Sequence, residues 1–396
     1  MRKLVGVLVA GAFLVGFAGA ASADDNGEGP HFTFGASTSF AYDINDPDDD
    51  NDSSANALSY ANMEARDESF NIDLVQLGVH GARGRASYAA KIDFGDLTPL
   101  AGDSADGDIA LQTASLTYDF DGAAITAGRF DTPIGYEVLE PWGNANISRS
   151  YSWSLLQPIN HDGVYVSGSA GIVDAMLGAV NGFTVSDASD PFNDLDDDKG
   201  VVGAVGVGIM DELNLYVSSI YTQDEDRVDR QAYNAIISGN VDMGGSGVRY
   251  AVEGNYRNDE KDKPTAGTNV GSGTGEIDWW SIVVYGGADF GPTSLDIRWE
   301  YFDVDTELGS SASTPVPGDP VSDPFFGNQL NNFGASFEDQ VWSLTVTAGW
   351  HLTDGLQFRL EYRHDDADDS TPFADNTNFD DSLDVVQAQV VWYPEL

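Results

Sequence analysis

The sequence predicts an all-β fold: a transmembrane antiparallel up-and-down β-barrel of about 16 strands, with short periplasmic turns and long extracellular loops. Three observations predict it: an export signal at the start, a hydrophobic period of two along the rest, and connections that alternate between tight turns and long polar stretches.

The export signal comes first. Arg2 and Lys3 precede an apolar, Gly/Ala-rich run from Leu4 to Gly19, and Ala21-Ser22-Ala23 is a small-x-small cleavage triplet before Asp24-Asp25. This divides the chain into a signal peptide, 1–23, cleaved after Ala23, and a barrel, 24–396. Beyond it no apolar run approaches the ~18 to 20 residues that a spanning helix needs. Any membrane crossing is therefore made by strands.

In the first strand, 31–43, Phe32, Phe34, Ala36, Phe40 and Tyr42 share one parity, and Thr33, Gly35, Ser37, Ser39 and Asp43 the other. Strands over 70–80 and 85–95 follow, and in the latter Tyr88, Ile92 and Phe94 oppose Ser87, Lys91 and Asp93. The next are 110–120 and 123–131. Parity is ambiguous in the second strand, where Leu74 and Val75 are both apolar, and in the fifth, where Ile125 competes with Phe130. Segments 162–170, 172–181, 200–210, 213–222 and 231–242 continue the series. In 247–257 Val248, Tyr250, Val252 and Tyr256 oppose Arg249, Glu253, Asn255 and Arg257. After 277–290, strand 293–303 sets Leu295, Ile297, Trp299 and Tyr301 against Asp296, Arg298 and Glu300. Segment 338–352 precedes 355–365, where Leu356, Phe358, Leu360 and Tyr362 oppose Arg359, Glu361 and Arg363; 384–393 closes the set. Tight turns at Gly81 to Gly84, Asp121-Gly122, Gly171, Gly291-Pro292 and Asp354-Gly355 alternate with the long connections.

A soluble sandwich also has alternating strands, though usually nearer 5 to 6 residues long. Aromatic spacing separates the two. Trp342 and Trp350 stand eight residues apart, and Trp280 and Phe290 ten. At ~3.3 Å per residue and ~40° tilt this is roughly the height of a membrane barrel's apolar band.

Composition narrows function. Asp and Glu number 65 against 18 Lys and Arg, a net charge of -47, so no basic face exists for nucleic acid. With 41% hydrophobic residues the chain is no disordered acidic tail, and without cysteine it has neither disulfides nor thiolate chemistry.

From the fifth strand onward the residues become specific. Gly128-Arg129-Phe130-Asp131-Thr132-Pro133-Ile134-Gly135-Tyr136-Glu137, Asn146-Ile147-Ser148-Arg149-Ser150, Pro158, His161-Asp162-Gly163-Val164 and Asn181-Gly182-Phe183 resemble the signature of the OmpL-like outer-membrane β-barrel porin family. The resemblance is dense over about 123–185 and architectural elsewhere. It implies a porin of the Gram-negative cell outer membrane, without implying a substrate; the expected reading is a diffusion channel for small hydrophilic solutes, with outer-membrane lipid and lipopolysaccharide and the barrel-assembly machinery as further partners. A homo-oligomer is a further expectation. The C-terminus departs from the aromatic ending common in such barrels, closing Trp392-Tyr393-Pro394-Glu395-Leu396.

A sixteen-stranded barrel leaves an aqueous channel unless something narrows it. The candidate is the third long connection, 132–161, poor in acid and rich in Pro, Gly, aromatic and Asn/Ser residues. Folded inward, it presents Arg129, Asp131, Glu137, Glu140, Asn146 and Arg149 as candidate constriction residues. The candidate pore wall is Lys91, Asp93, Arg249, Glu253, Arg257, Asp296, Arg298, Glu300, Arg359, Glu361 and Arg363. The long connections carry a net charge of -31 from 38 acids and seven bases. Modest cation selectivity follows. The alternative is an acidic surface β protein that binds divalent cations or acts in adhesion, suggested by Asp43 to Asp52 and Asp194 to Asp198. An EF-hand fails there, since counting from Asp194 places Lys199 sixth and Val205 twelfth. No cofactor motif is present, and no enzyme is expected: His161-Asp162 and His364-Asp365 are strand neighbours pointing to opposite faces, and no Gly-x-Ser-x-Gly elbow occurs.

Overall fold

The computed structural model describes residues 29–44, 69–98, 109–183, 199–210, 212–223, 229–243, 247–261, 275–308, 338–368 and 382–394. Sixteen strands run through them: β1 (His31–Asp43), β2 (Phe70–Arg83), β3 (Ala86–Phe94), β4 (Ile109–Asp119), β5 (Ala123–Asp131), β6 (Asn160–Ala170), β7 (Val173–Val180), β8 (Lys199–Met210), β9 (Leu213–Gln223), β10 (Asp229–Asp242), β11 (Gly247–Lys261), β12 (Gly275–Phe290), β13 (Thr293–Leu308), β14 (Glu338–Thr353), β15 (Leu356–Ala367) and β16 (Ser382–Trp392). Each pairs antiparallel with its chain neighbours, and β1 pairs with β16 from Ala36 opposite Trp392 to Asp43 opposite Val385, closing the barrel. The signal segment 1–23, Leu396 and the Asp-rich stretches beyond Ile44 and at 194–198 lie outside the described residues.

The pattern of two is realised on the two faces. Phe32, Ile92, Leu116, Val252, Trp280, Ile297, Trp299 and Leu360 are exposed on the outer surface, while Ser37, Glu253, Arg298 and Glu361 on the opposite parity are buried. The two ambiguous strands have separate explanations. In β2 the register against β1 shifts between Ser37 and Ser39, and this bulge turns both Asp73 and Leu74 inward. In β5 no slip is needed, because Ile125 faces out and Phe130 faces in, packed with Ile134, Val180 and Val202. Several short turns are closed by a glycine in the left-handed region, at φ 63° for Gly84 and 67° for Gly171 and Gly291.

The wall is uneven. Strands β11 to β14 have 15 or 16 residues, whereas β3 to β7 have 8 to 11. The low wall also has a seam. Pairing of β4 with β5 stops at Ala114 opposite Arg129, while β5 and β6 stay paired up to Asp131 opposite Asn160. The top of the β5–β6 hairpin thus leaves β4 and leans into the lumen, carrying the connection between them inward.

Closure depends on the last residues. Trp392 pairs with both Ala36 and Leu356 and its ring lies 5.3 Å from Phe34, while the Tyr393 N–H donates to the Gly355 carbonyl at 2.7 Å. Deleting residues 392–396 is expected to abolish the heat-modifiable barrel band on semi-native gels. Unchanged outer-membrane levels of the truncated chain would contradict that role.

Candidate functional site

The connection between β5 and β6, residues 132–159, first folds on itself. The Asn144 side chain accepts from the Val138 N–H at 2.9 Å and donates to the Val138 and Glu140 carbonyls at 2.8 Å each, closing a turn around Pro141–Gly143. Arg149 donates to the carbonyls of Val138, Leu139 and Ile147 at 3.1, 2.9 and 2.8 Å. A π-helical turn at Ser152–Leu156 follows, where Ser150 Oγ accepts the Trp153 N–H.

The remaining peptide groups are taken up by the wall. Carboxylates collect the N–H groups: Ile147 and Ser148 donate to Glu361 at 2.6 and 2.9 Å, Tyr151 and Ser152 to Glu300 at 2.7 and 2.8 Å, and Tyr136 to Glu253 at 3.1 Å. Guanidinium groups collect the carbonyls: Arg298 donates to Ser148 at 2.6 Å, Arg363 to Arg149 at 2.5 Å, Arg257 to Leu155 at 2.8 Å and Arg359 to Pro141 at 3.0 Å. These seven wall charges are 0–4% exposed. Apolar contacts complete the docking. Trp142 stacks on Tyr393 with centroids 5.2 Å apart and lies over Gly35, where a Cβ would run into the indole ring. Tyr151, Leu155 and Leu156 join Trp279, Phe302 and Val341 in one buried cluster.

All eleven wall candidates face inward, but the structure gives most of them a different neighbour from the water expected of a pore lining. Glu253, Arg257, Arg298, Glu300, Arg359, Glu361 and Arg363 hold the segment's backbone, because irregular peptide groups enclosed by a sheet need partners. Arg249 binds Asp289 and Asp296 beside a cavity of ≈ 30 Å³ lined by Tyr136, Glu137, Asn146 and Tyr285. Asp93 is buried and accepts from Gln76 at 3.0 Å.

Among the constriction candidates, four placements differ from expectation. Glu137 is buried in an ion pair with Arg298 at 2.6 Å and accepts the Ser150 N–H. Asn146 donates to Thr347 at 2.7 Å, and Arg149 is enclosed by the carbonyls named above. All three brace the segment. Arg129 alternates with the inward Phe130 and so takes the outer parity. There it pairs with both oxygens of Asp162 at 2.8 and 2.9 Å and caps the Leu111 carbonyl that β5 leaves unpaired.

Asp131 and Glu140 do converge, and on Lys91. Its ammonium lies 3.0 Å from Asp131 and 2.6 Å from Glu140, and the Gln112 amide donates to the same two carboxylates at 2.9 and 3.1 Å. Burial works against ionisation of Glu140, yet the adjoining Lys91 charge and hydrogen bonds more than offset it and hold that carboxyl down to about 2. The Asp131 side chain is 45% exposed and that of Lys91 32%, so this cluster keeps contact with water. Phe183, just beyond β7, packs its ring 4.6 Å from the Arg257 guanidinium. The sequence marks Lys91 as pore wall and Asp131 and Glu140 as constriction, without bringing the three together. The inward Gly35, a gap on a polar face, was the one local sign that a bulky group docks there.

The comparisons agree on this architecture. The family model described as "Putative beta-barrel porin-2, OmpL-like" matches residues 31–392. No curated protein matches the sequence. Solved structures that share the fold include an anion-selective porin from Comamonas acidovorans (TM-score 0.54, 10% identity, covering 92% of this chain and 100% of that one). A loop L8 deletion mutant of the outer membrane protein OmpT of Vibrio cholerae is similar at TM-score 0.53 and 13% identity, over 92% and 100% of the two chains. The outer membrane channel DcaP of Acinetobacter baumannii is similar at TM-score 0.52 and 12% identity, over 93% and 99%.

Arg149 is the only Lys or Arg between residues 132 and 159, which makes trypsin a probe of docking. The native barrel is expected to resist cleavage there. Arg298→Ala leaves Glu137 buried without its partner, a loss of about 3–5 kcal/mol, and should open Arg149 to cleavage while the barrel stays folded. Equal resistance in the variant would show that the wall charges do not hold the segment.

Proposed function

The chain belongs to the OmpL-like beta-barrel porin-2 family of outer-membrane barrels, and from that premise we propose that it is a passive diffusion channel for small hydrophilic solutes and ions, modestly selective for cations. The observation that supports the route is an asymmetry of the lumen. On β11, β13 and β15 the inward charges are covered by the docked segment, whereas Ser87, Lys91, Thr117, Tyr165, Ser167 and Asp174 on β3, β4, β6 and β7 remain partly exposed. The path then runs off-centre, between the segment and the low wall, past Lys91, Asp131 and Glu140.

Selectivity has two sources on this reading. Where the path narrows, a pair of carboxylates faces one ammonium, a local excess of negative charge. The seven long connections other than the docked segment add -30 by sequence. At ~0.15 M salt the screening length is about 8 Å, so mouth charges within that distance enrich cations, and at ~1 M it shrinks to about 3 Å.

Purified protein in a planar bilayer tests this. Replacing residues 136–157 with a short Gly-Ser linker should raise single-channel conductance several-fold. Glu140→Gln should move the reversal potential toward anions and Lys91→Ala toward cations, both effects fading as salt rises. Silent bilayers would refute the channel, while conductance indifferent to both charge changes would refute only the route.

A further inference from the structure

At the short-turn end of β1 and β2 the lumen face carries two imidazoles side by side. Gly35 lies beneath Trp142 and so faces the lumen, which gives Thr33 and His31 the same face by the period of two. On β2 the inward Gln76, bonded to Gln112 and Glu140, gives Gly78 and His80 that face as well. The register sets His31 directly opposite His80. Their rings are stacked, with centroids 5.4 Å apart and planes 16° from parallel, and both residues are exposed. Small neighbours leave the rings open to water: the β3 partner of His80 is Ala89, and the next inward residue on β2 is Ala82. Two of the chain's five histidines thus share one spot. Stacking accounts for only part of this. The opposed rings of Phe40 and Phe70 serve the same two strands at their other end, so pairing the strands does not call for histidine. What imidazole adds on a wet face is a pair of nitrogen donors on adjacent strands.

We propose that His31 and His80 form a binding site for a divalent transition-metal cation, of the Zn²⁺, Cu²⁺ and Ni²⁺ type, at the periplasmic mouth of the lumen. Neutral imidazole suits these ions, whereas Ca²⁺ and Mg²⁺ take oxygen ligands. The two rings supply two ligands and water fills the remaining positions. Metal–nitrogen bonds of about 2.0–2.1 Å at a tetrahedral angle put two ring nitrogens roughly 3.3 Å apart. From ring centroids 5.4 Å apart that separation is within reach of side-chain rotation, with the strands unmoved. Electrostatics favours arrival. A chain of net charge -47 concentrates divalent cations around it, and Lys91, inward on β3, is matched by Asp131 and Glu140. Lys91 stands opposite Gly78 and Ala89 opposite His80, so the site lies two residues, roughly 7 Å of strand, below the Lys91 cluster. On the reading that solutes pass that cluster, a bound ion occupies the exit of their route. The site itself stands without that reading.

The barrel, purified without a histidine tag, is titrated with Cu²⁺ and followed by electron paramagnetic resonance. One tightly bound equivalent with the nitrogen splitting of two imidazoles is expected. His31→Phe and His80→Phe, which keep the stacked rings and the heat-modifiable band, should each lose that equivalent and its splitting. His351→Phe, at an exposed histidine of β14, should keep both. Zn²⁺ should displace the copper. In planar bilayers Zn²⁺ should also lower the conductance of the native barrel, reversibly with EDTA, while sparing His80→Phe. Native-like copper binding in His80→Phe, or a spectrum of oxygen ligands alone, overturns the site and leaves the pair as a stacking contact. Zinc that displaces copper yet leaves the current unchanged upholds the site and counts against the route past Lys91.

Discussion

The interior of this barrel is organised by the needs of peptide groups cut off from bulk water. A segment with almost no regular structure, 132–159, lies inside a sheet whose own ladder is complete except at the seam between β4 and β5. Its N–H and C=O groups have to be met by side chains, and an unmet buried group costs on the order of 1–3 kcal/mol. The wall answers with acids for the N–H groups and arginines for the carbonyls. Glu300 and Arg298, two residues apart on β13 and so on the same face, do both jobs side by side. Charges are well suited to this, since charge-assisted hydrogen bonds are roughly twice as strong as neutral ones. Burying them is tolerable only because each is paired or saturated.

That division of labour explains what was legible beforehand. Alternation identifies which residues face the lumen, because the side-chain period is two whatever lies inside; Arg359, Glu361 and Arg363 are inward for that reason. It does not identify what they touch. An inward charge beside water and an inward charge beside a carbonyl have the same parity and the same sequence. Contacts such as Glu361 with Ile147 join residues far apart in the chain, and no local pattern records them. Arg129 shows another limit: an outward Ile125 places it on the outer face and an outward Phe130 places it in the lumen, and nothing in the strand's own sequence decides between the two. Asp131 shares that outer parity and yet reaches Lys91, because the hairpin top has left the wall. Only the end of the β4–β5 pairing reveals this.

The low wall and the docked segment are two results of one event. When β5 and β6 separate from β4 above Arg129, the chain between them is already aimed at the axis, so the loop enters the lumen without crossing the rim. Glu140 can then reach Gln112 on β4, the strand that the hairpin left, and Lys91 on β3 beside it. The charged cluster and the gap in the sheet are thus neighbours. One is the inner side of the other.

The long reach of the docking contacts sets an order of events in assembly. Ile147 meets Glu361 across 214 residues of chain, and Arg359 meets the Pro141 carbonyl across 218. Contacts so distant in sequence form late, since the chain between them has to be ordered first. Until β13 and β15 are in place the only wall charges the segment can grip are Lys91 on β3 and Glu253 and Arg257 on β11, and the arginines and acids of the later strands stay hydrated. The price of taking those charges out of water is therefore deferred to the final step, when each finds its partner at once. A barrel that inserts with its lumen wet and dries only the docked side on completion avoids passing through a state with bare charges in a half-built wall.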